Sequence, residues 1–252
     1  MTTFLIFLAG LAAGAMNAAA GGGSFVSVPA LIWAGVPSIT ANMSSTIALY
    51  PGSLASAWAF RENLQSMHNV SLKLLGCTTL VGGLCGAFLL LRTSNSLFDK
   101  VIPWLLLLGS LAFAFGRIIG RRLRRQYKPH AATLLFAQFL LGIYGGYFGG
   151  AVGIMMMAVW SVFGLHDLKI MNPVKVVLVA AANTVAVICF AVAGSVDWRA
   201  TGIMLISAVL GGYFGALLAM RVRSEHLRIA VSCLNFIVTA AFFIFKYTKL
   251  VG

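Results

Sequence analysis

Residues 10–29, GLAAGAMNAAAGGGSFVSVP, decide how this chain folds. The stretch is apolar enough for a membrane helix, yet glycines and Asn17 interrupt it where unbroken helix would be most stable. A helix broken inside a bilayer leaves backbone N–H and C=O groups unpaired, so protein or a water-filled cavity must surround the break. The half-helix that resumes after Gly21, Gly22 and Gly23 begins near Ser24. Its free N–H groups and partial positive charge make an anion site of its N-terminus. Ser24 is also placed to cap that helix.

The surrounding composition makes lipid the solvent. Of 252 residues, 60% are hydrophobic and 9% charged, and mean hydropathy is +0.97. A soluble domain carries about a quarter of its residues as charges. Apolar runs recur along the whole chain, several reaching the roughly 20 residues a spanning helix needs. They do not alternate as the strands of a barrel would. The first ten residues, MTTFLIFLAG, lack the positive region of a signal peptide, the first basic residue being Arg61. They are read as a retained segment. Cys77, Cys85, Cys189 and Cys233 lie within apolar runs without metal-type spacing and are expected to be buried, inert thiols.

The interrupted stretch has a counterpart. GLAAGAMNAAAG at 10–21 matches GIYGGYFGGAVG at 142–153, and ANMSSTIALYPGS at 41–53 matches MNPVKVVLVAAAN at 171–183. GGLCGAFLLLR at 82–92 matches GGYFGALLAMR at 211–221. The offsets of 132, 130 and 129 keep all three in register, so the chain is a duplication. The expected fold is an all-α polytopic membrane protein of two inverted repeats, each of about five helical segments with a broken or re-entrant Gly-rich helix. Residues 1–120 form the first repeat, 121–129 a basic cytoplasmic linker and 130–252 the second repeat.

Charge orients the chain. With ten segments and the termini outside, the inner junctions carry 11 basic residues: Arg61, Arg117, Arg121, Arg122, Arg124, Arg125, Lys128, Lys169, Arg221, Arg223 and Arg228. The outer ones carry five: Arg92, Lys100, Arg199, Lys246 and Lys249. Eight segments separate them less well, ten against six, so the positive-inside rule favours ten. The net charge of +13 is therefore assigned to cytoplasmic loops rather than to nucleic acid. The cluster from 117 to 128 is placed to meet anionic lipid headgroups.

Matching Gly-interrupted segments in two halves mark a transporter's binding site. The candidate substrate residues are Gly22, Gly23 and Ser24 at the first break and Gly153 at the second. The polar positions of the segments that follow complete the set: Asn42, Ser44, Ser45, Thr46 and Ser53, with Asn172, Lys175 and Asn183. A lysine within a membrane segment is a functional candidate by default, although Lys175 lies near its segment's start, within snorkelling reach of the interface. Glu62, Asp99, Asp167, Asp197 and Glu225 all fall at junctions. With no carboxylate at membrane depth, the embedded chemistry is cationic and neutral-polar, which suits an anion. The glycines at 10/14, 82/86, 142/146 and 211/215 have the spacing of close helix packing, the preferred reading for the second and fourth pairs. His68, His130, His166 and His226 fall at junctions and suggest no metal centre. The five tryptophans mostly sit near segment ends, as interface anchors do.

The Gly-rich first segment running into GGGSFVSVPALIWAGVPSITANMSS resembles the sulfite exporter TauE/SafE family of anion permeases, as do GIYGGYFGGAVGI, AGSVDW (193–198) and GGYFGALLAMR. The resemblance covers roughly residues 5–245. It implies a bacterial inner-membrane exporter or permease for small sulfur-containing or organic anions such as sulfite or sulfoacetate, with no cofactor. The family's polar segment maps onto 42–46 and its duplicate near Asn172 and Lys175. The chain departs from the family pattern at NMSST, where a glycine usually precedes the Thr-Ser pair. The expected activity is secondary transport around a site between the repeats. A passive anion channel and a non-transporting scaffold are the alternatives, and oligomeric state is left open. HExxH, GxSxG and embedded carboxylate pairs do not occur in the sequence, which points away from an intramembrane enzyme.

Overall fold

The computed structural model describes residues 2–64, 71–123, 131–163, 165, 167–221 and 224–248. Among them the chain is helical throughout: α1 Thr2–Ala20, α2 Ser24–Trp33, α3 Ser38–Phe60, α4 Leu72–Arg92, α5 Asn95–Leu123, α6 Ala131–Tyr147, α7 Val152–Val162, α8 Leu168–Ala193, α9 Trp198–Arg221 and α10 Ser224–Thr248. A short 3₁₀ turn, Arg61–Asn63, follows α3. By length and hydropathy, Leu72–Arg92, Asn95–Gly116 and Ile170–Ala193 qualify as spans on their own. Helix α3 carries Asn42, Ser44, Ser45 and Thr46 in its first half, and that polar content lowers its hydropathy.

Side chains are sorted as lipid demands. Phe4, Val81, Phe88, Val192, Phe214, Ile237 and Ile244 face outward, whereas Ser27, Asn42, Ser44, Ser45, Gln138 and Asn235 are fully buried. A water-soluble fold does the reverse. The protein is an all-α polytopic membrane protein. Trp33, Trp58 and Trp198 are exposed near helix ends and Trp104 is exposed within α5, but Trp160 is fully buried and donates its indole N–H to Gln138 Oε1 at 3.0 Å. The cysteines also depart from expectation. Cys77, Cys85 and Cys233 are exposed and Cys189 is half-buried, because their helix faces turn towards lipid rather than the core.

Glycine sets the closest helix contacts. Helices α1 and α9 pack side by side and parallel, Gly10 against Ser207, Gly14 against the backbone of Ala208, Gly211 against Leu11 and Gly215 against Ala15. Helices α4 and α6 repeat the arrangement, with Gly82 against Phe139 and Gly142, Gly86 against Ile143, and Gly146 against Gly83. A Cβ built on Gly82 would lie 2.5 Å from the Phe139 carbonyl oxygen, so backbone contact itself excludes a side chain. All four glycine pairs are packing positions. In the middle, α3 and α8 run antiparallel, joined by a 2.8 Å bond between Tyr50 Oη and Thr184 Oγ1, and beyond α8 the Asp197 N–H, in the turn before α9, donates to Ser44 Oγ at 3.1 Å.

These pairings define two ends of the bundle. Helices α1, α3, α5 and α9 finish at one end, where α4, α6, α8 and α10 begin; that end carries Arg61 and the described end of α5, where the basic run of the sequence starts, and is called the basic end below. The backbone of that run is described only to Leu123 in α5, and the rest lies outside the described residues, as do His68, His130 and His166. The opposite, far end carries the starts of α1, α3, α5 and α9.

Candidate substrate site

Both predicted helix breaks exist. After α1, Gly21 takes φ 76°, and α2 then doubles back: Gly23 touches Ala13, and Leu31 clusters with Ile6. After α6, Gly149 takes φ 80°, and α7 doubles back so that Val152 lies over Gly145 and Trp160 over Gln138. Only glycine enters the left-handed region without steric cost, which is why each reversal has one. Ala151 enters it too, at φ 59° immediately before α7, although fully buried. A non-glycine residue held there stores strain, a mark of sites where the surroundings dictate the backbone. With 10 and 11 residues, α2 and α7 are half-helices of about 15 Å. The breaks touch through Phe25 and Phe148, whose rings meet edge-on with centroids 6.3 Å apart.

A cavity of about 440 Å³ lies against both breaks. Helix α3 supplies Thr46, Leu49, Ser53, Ser56 and Phe60, spaced three and four residues apart, and so one helix face. Helix α8 supplies Asn172, Lys175, Val176, Val179 and Asn183 in the same rhythm. Gly21 and Ser24 border the cavity at the first break, and Gly149 and Gly153 at the second. The first N–H groups of a helix have no intrahelical partner, and here two such helix starts adjoin one cavity. Among the described lining residues, Lys175 carries the charge. Its stem lies over α7, since a Cβ on Gly153 would stand 3.0 Å from Lys175 Cδ. The lysine is half-buried beside the break.

The candidate residues divide. Ser24, Thr46, Ser53, Gly153, Asn172, Lys175 and Asn183 line the cavity, whereas Gly22, Gly23, Asn42, Ser44 and Ser45 do not. Gly22 and Gly23 are buried where α2 folds against α1, close to Met16 and Ala13. Ser24 is the first residue of α2, not its cap: Gly23 holds that position, with helical dihedrals and no side-chain hydrogen bond. Asn42 donates through Nδ2 to the Tyr147 carbonyl at 2.9 Å, Ser44 accepts from Asp197 N–H, and Ser45 Oγ lies 2.5 Å from Ser27 Oγ. These three belong to helix–helix contacts nearer the far end. Thr46 both lines the cavity and donates to the Asn42 carbonyl at 2.8 Å. Sequence reasoning missed Asn17 and Ser56, which also line the cavity. Ser56 lies three residues beyond Ser53, and helical spacing alone would have found it. Asn17 stands in the opening stretch, one turn before Gly21.

A helical membrane protein with a polar cavity between two broken helices has the build of a membrane transporter. The family model described as "Sulfite exporter TauE/SafE" matches residues 6–242, and the chain belongs to that family. A "Probable membrane transporter protein" of Haemophilus influenzae is 27% identical over 94% of this chain and 92% of its own. The "Probable membrane transporter protein YfcA" of Escherichia coli K12 is 25% identical over 94% and 87%. The "Probable membrane transporter protein ORF9" of a Sinorhizobium species is 26% identical over 85% and 82%. No solved structure matches the chain significantly.

Proposed function

We propose that the protein is a secondary carrier for a small sulfur-containing or organic anion, of the kind represented by sulfite and sulfoacetate, and that it binds its substrate in the cavity between α3 and α8. One observation carries this reading: two helix starts and the Lys175 ammonium adjoin a single cavity whose other described lining residues are neutral. Donors fixed before the ligand arrives, in a medium of low dielectric, stabilise an anion without reorganisation cost. Asn17, Asn172 and Asn183 with Ser24, Thr46, Ser53 and Ser56 add hydrogen bonds, and Leu49, Phe113, Ile154, Met157 and Val179 make an apolar wall.

The carrier is built of inverted repeats, residues 1–120 and 130–252, joined by a basic linker at 121–129. Support comes from the matched pairs: α1 against α9 and α6 against α4 use equivalent glycines, while α1 and α6 start at opposite ends of the bundle. The basic end faces the cytoplasm of an inner membrane by the positive-inside rule, where its cluster meets anionic headgroups.

The test is thermal stability of the purified protein against sulfite, sulfate, thiosulfate, sulfoacetate and a simple carboxylate. At least one anion raises the melting temperature, and Lys175→Ala abolishes the rise while folding normally. A rise that persists in Lys175→Ala places the anion elsewhere, and no rise with any of these anions overturns the anion-carrier reading.

A further inference from the structure

Among the described residues, the exposed part of the cavity lining lies towards the basic end. The lining runs from Ser24, Thr46, Gly153 and Asn183 at mid-bundle to exposed Ser56, Ala18 and Gly21, on the side where α1 and α3 finish and α8 begins. The other direction is closed by hydrogen bonds that converge on the first two turns of α3 from four other parts of the fold. Ser38 Oγ and the Ile39 N–H both donate to Asn95 Oδ1 at the start of α5, at 3.3 and 3.1 Å. Asn42 reaches the Tyr147 carbonyl at the end of α6, Ser44 the turn before α9, and Ser45 the half-helix α2. Tyr147 Oη in turn donates to Thr93 Oγ1, between α4 and α5, at 3.4 Å. Tyr50 and Thr184 close the layer nearest the cavity. Beneath these bonds Met43, Leu90, Phe98, Ile102, Phe148 and Phe190 form a buried apolar plug.

One member of the layer is half-satisfied. Asn42 is buried and its Nδ2 is bonded, but its Oδ1 has no partner. A buried acceptor left unpaired destabilises the state that buries it, so opening this layer to water gives Asn42 a partner it lacks here. A fully satisfied network would favour the closed state more strongly.

We infer that the first two turns of α3 are the gate of the carrier: Asn42, Ser44 and Ser45 seal the far end while the cavity is open at the basic end, and release it when the cavity opens the other way. These residues hold a state and do not contact the substrate. The inference rests on the proposed carrier function and extends it to the sidedness of the same cavity.

The experiment reads sidedness without any substrate. Ser53→Cys, inside the cavity, is labelled with a membrane-impermeant maleimide in oriented vesicles, with the parent chain and its native cysteines as background. Labelling is expected from the basic side and scarcely from the far side. Adding Asn42→Ala raises far-side labelling about two- to tenfold, the change in population that loss of one hydrogen bond gives. Ser44→Ala, which removes the acceptor of the Asp197 N–H and no packing volume of note, gives the same sense of change should Asn42→Ala fold poorly. Far-side labelling unchanged in both variants overturns the gate, as does equal labelling from both sides in the parent background, which is the behaviour of an open pore. If far-side labelling rises but no anion stabilises the protein, the gate stands and the anion assignment falls.

Discussion

Lys175 owes its position to a glycine on another helix. Its Cγ and Cδ lie where a Cβ on Gly153 would come within 3.1 and 3.0 Å, so the lysine stem crosses the start of α7 because nothing projects there. Gly153→Ala keeps the break, whose left-handed residues are Gly149 and Ala151, but pushes the stem outward. Anion affinity is expected to fall by on the order of 1 kcal/mol, about fivefold, with little change in the melting temperature of the unliganded protein. Titrating the anion-induced thermal shift of Gly153→Ala against the parent checks this. An unchanged midpoint would mean that the ammonium reaches the same place from a displaced stem. Asn183→Ala makes a second comparison. It lies in the cavity, so it weakens the same titration, whereas Asn42→Ala leaves it nearly unchanged and alters sidedness instead. The sequence marks both asparagines as polar groups at membrane depth, and nothing in it separates the one facing the cavity from the one bonded to Tyr147. That distinction depends on where the end of α6, 105 residues away, comes to rest. Lone polar residues in an apolar run are legible as important; their partners are not.

At the level of helices, glycines on one helix do different work. Gly82 and Gly86 sit against the backbone of α6, while a Cβ added to Gly76 on the same helix would meet nothing within 4 Å. Gly86→Leu should therefore lower the melting temperature markedly or prevent folding, since the intruding atoms meet main chain and no rotamer relieves them. Gly76→Ala should match the parent or exceed it by a few tenths of a kcal/mol, because alanine is the better helix former. Thermal melts of the two variants in one detergent decide it, and equal effects would refute the packing assignment. The buried Gln138 gives a second test. It donates to Thr79 Oγ1 at 2.8 Å and accepts from Trp160, tying the half-helix α7 to α4 and α6. Gln138→Leu leaves the indole N–H unpaired in the core and should cost about 1–3 kcal/mol. The breaks, the helix order and the packing glycines were all readable from the sequence, because glycine at fixed spacing has few physical meanings in lipid. Trp160 and the cysteines were misjudged for a single reason. An apolar run that is hydrophobic all round does not say which of its faces is turned to the core.

For the whole molecule, the proposed duplication accounts for how a chain with so little embedded charge forms the proposed site. Each half supplies one break, and neither break encloses a cavity alone; the cavity forms where α3 of the first half meets α8 of the second. The same pairing fixes topology. From the start of α1 at the far end, the order of helices carries α5 to the basic end and returns the end of α10 to the far end, where Phe242 packs against Trp33 with ring centroids 5.8 Å apart. The two half-helices are the reason: each turns back towards the end its preceding helix left, so α3 starts where α1 did and α8 where α6 did. It follows that the start of α1 and the end of α10 lie at the end opposite Arg61, which the proposed orientation puts on the periplasmic side. A reporter active only outside the cytoplasm should work when fused after α10 and fail when inserted between α5 and α6. The reverse result would invert the orientation and place the cavity mouth outside. Activity at both positions would contradict the parallel pairing of α1 with α9, on which the inverted arrangement depends.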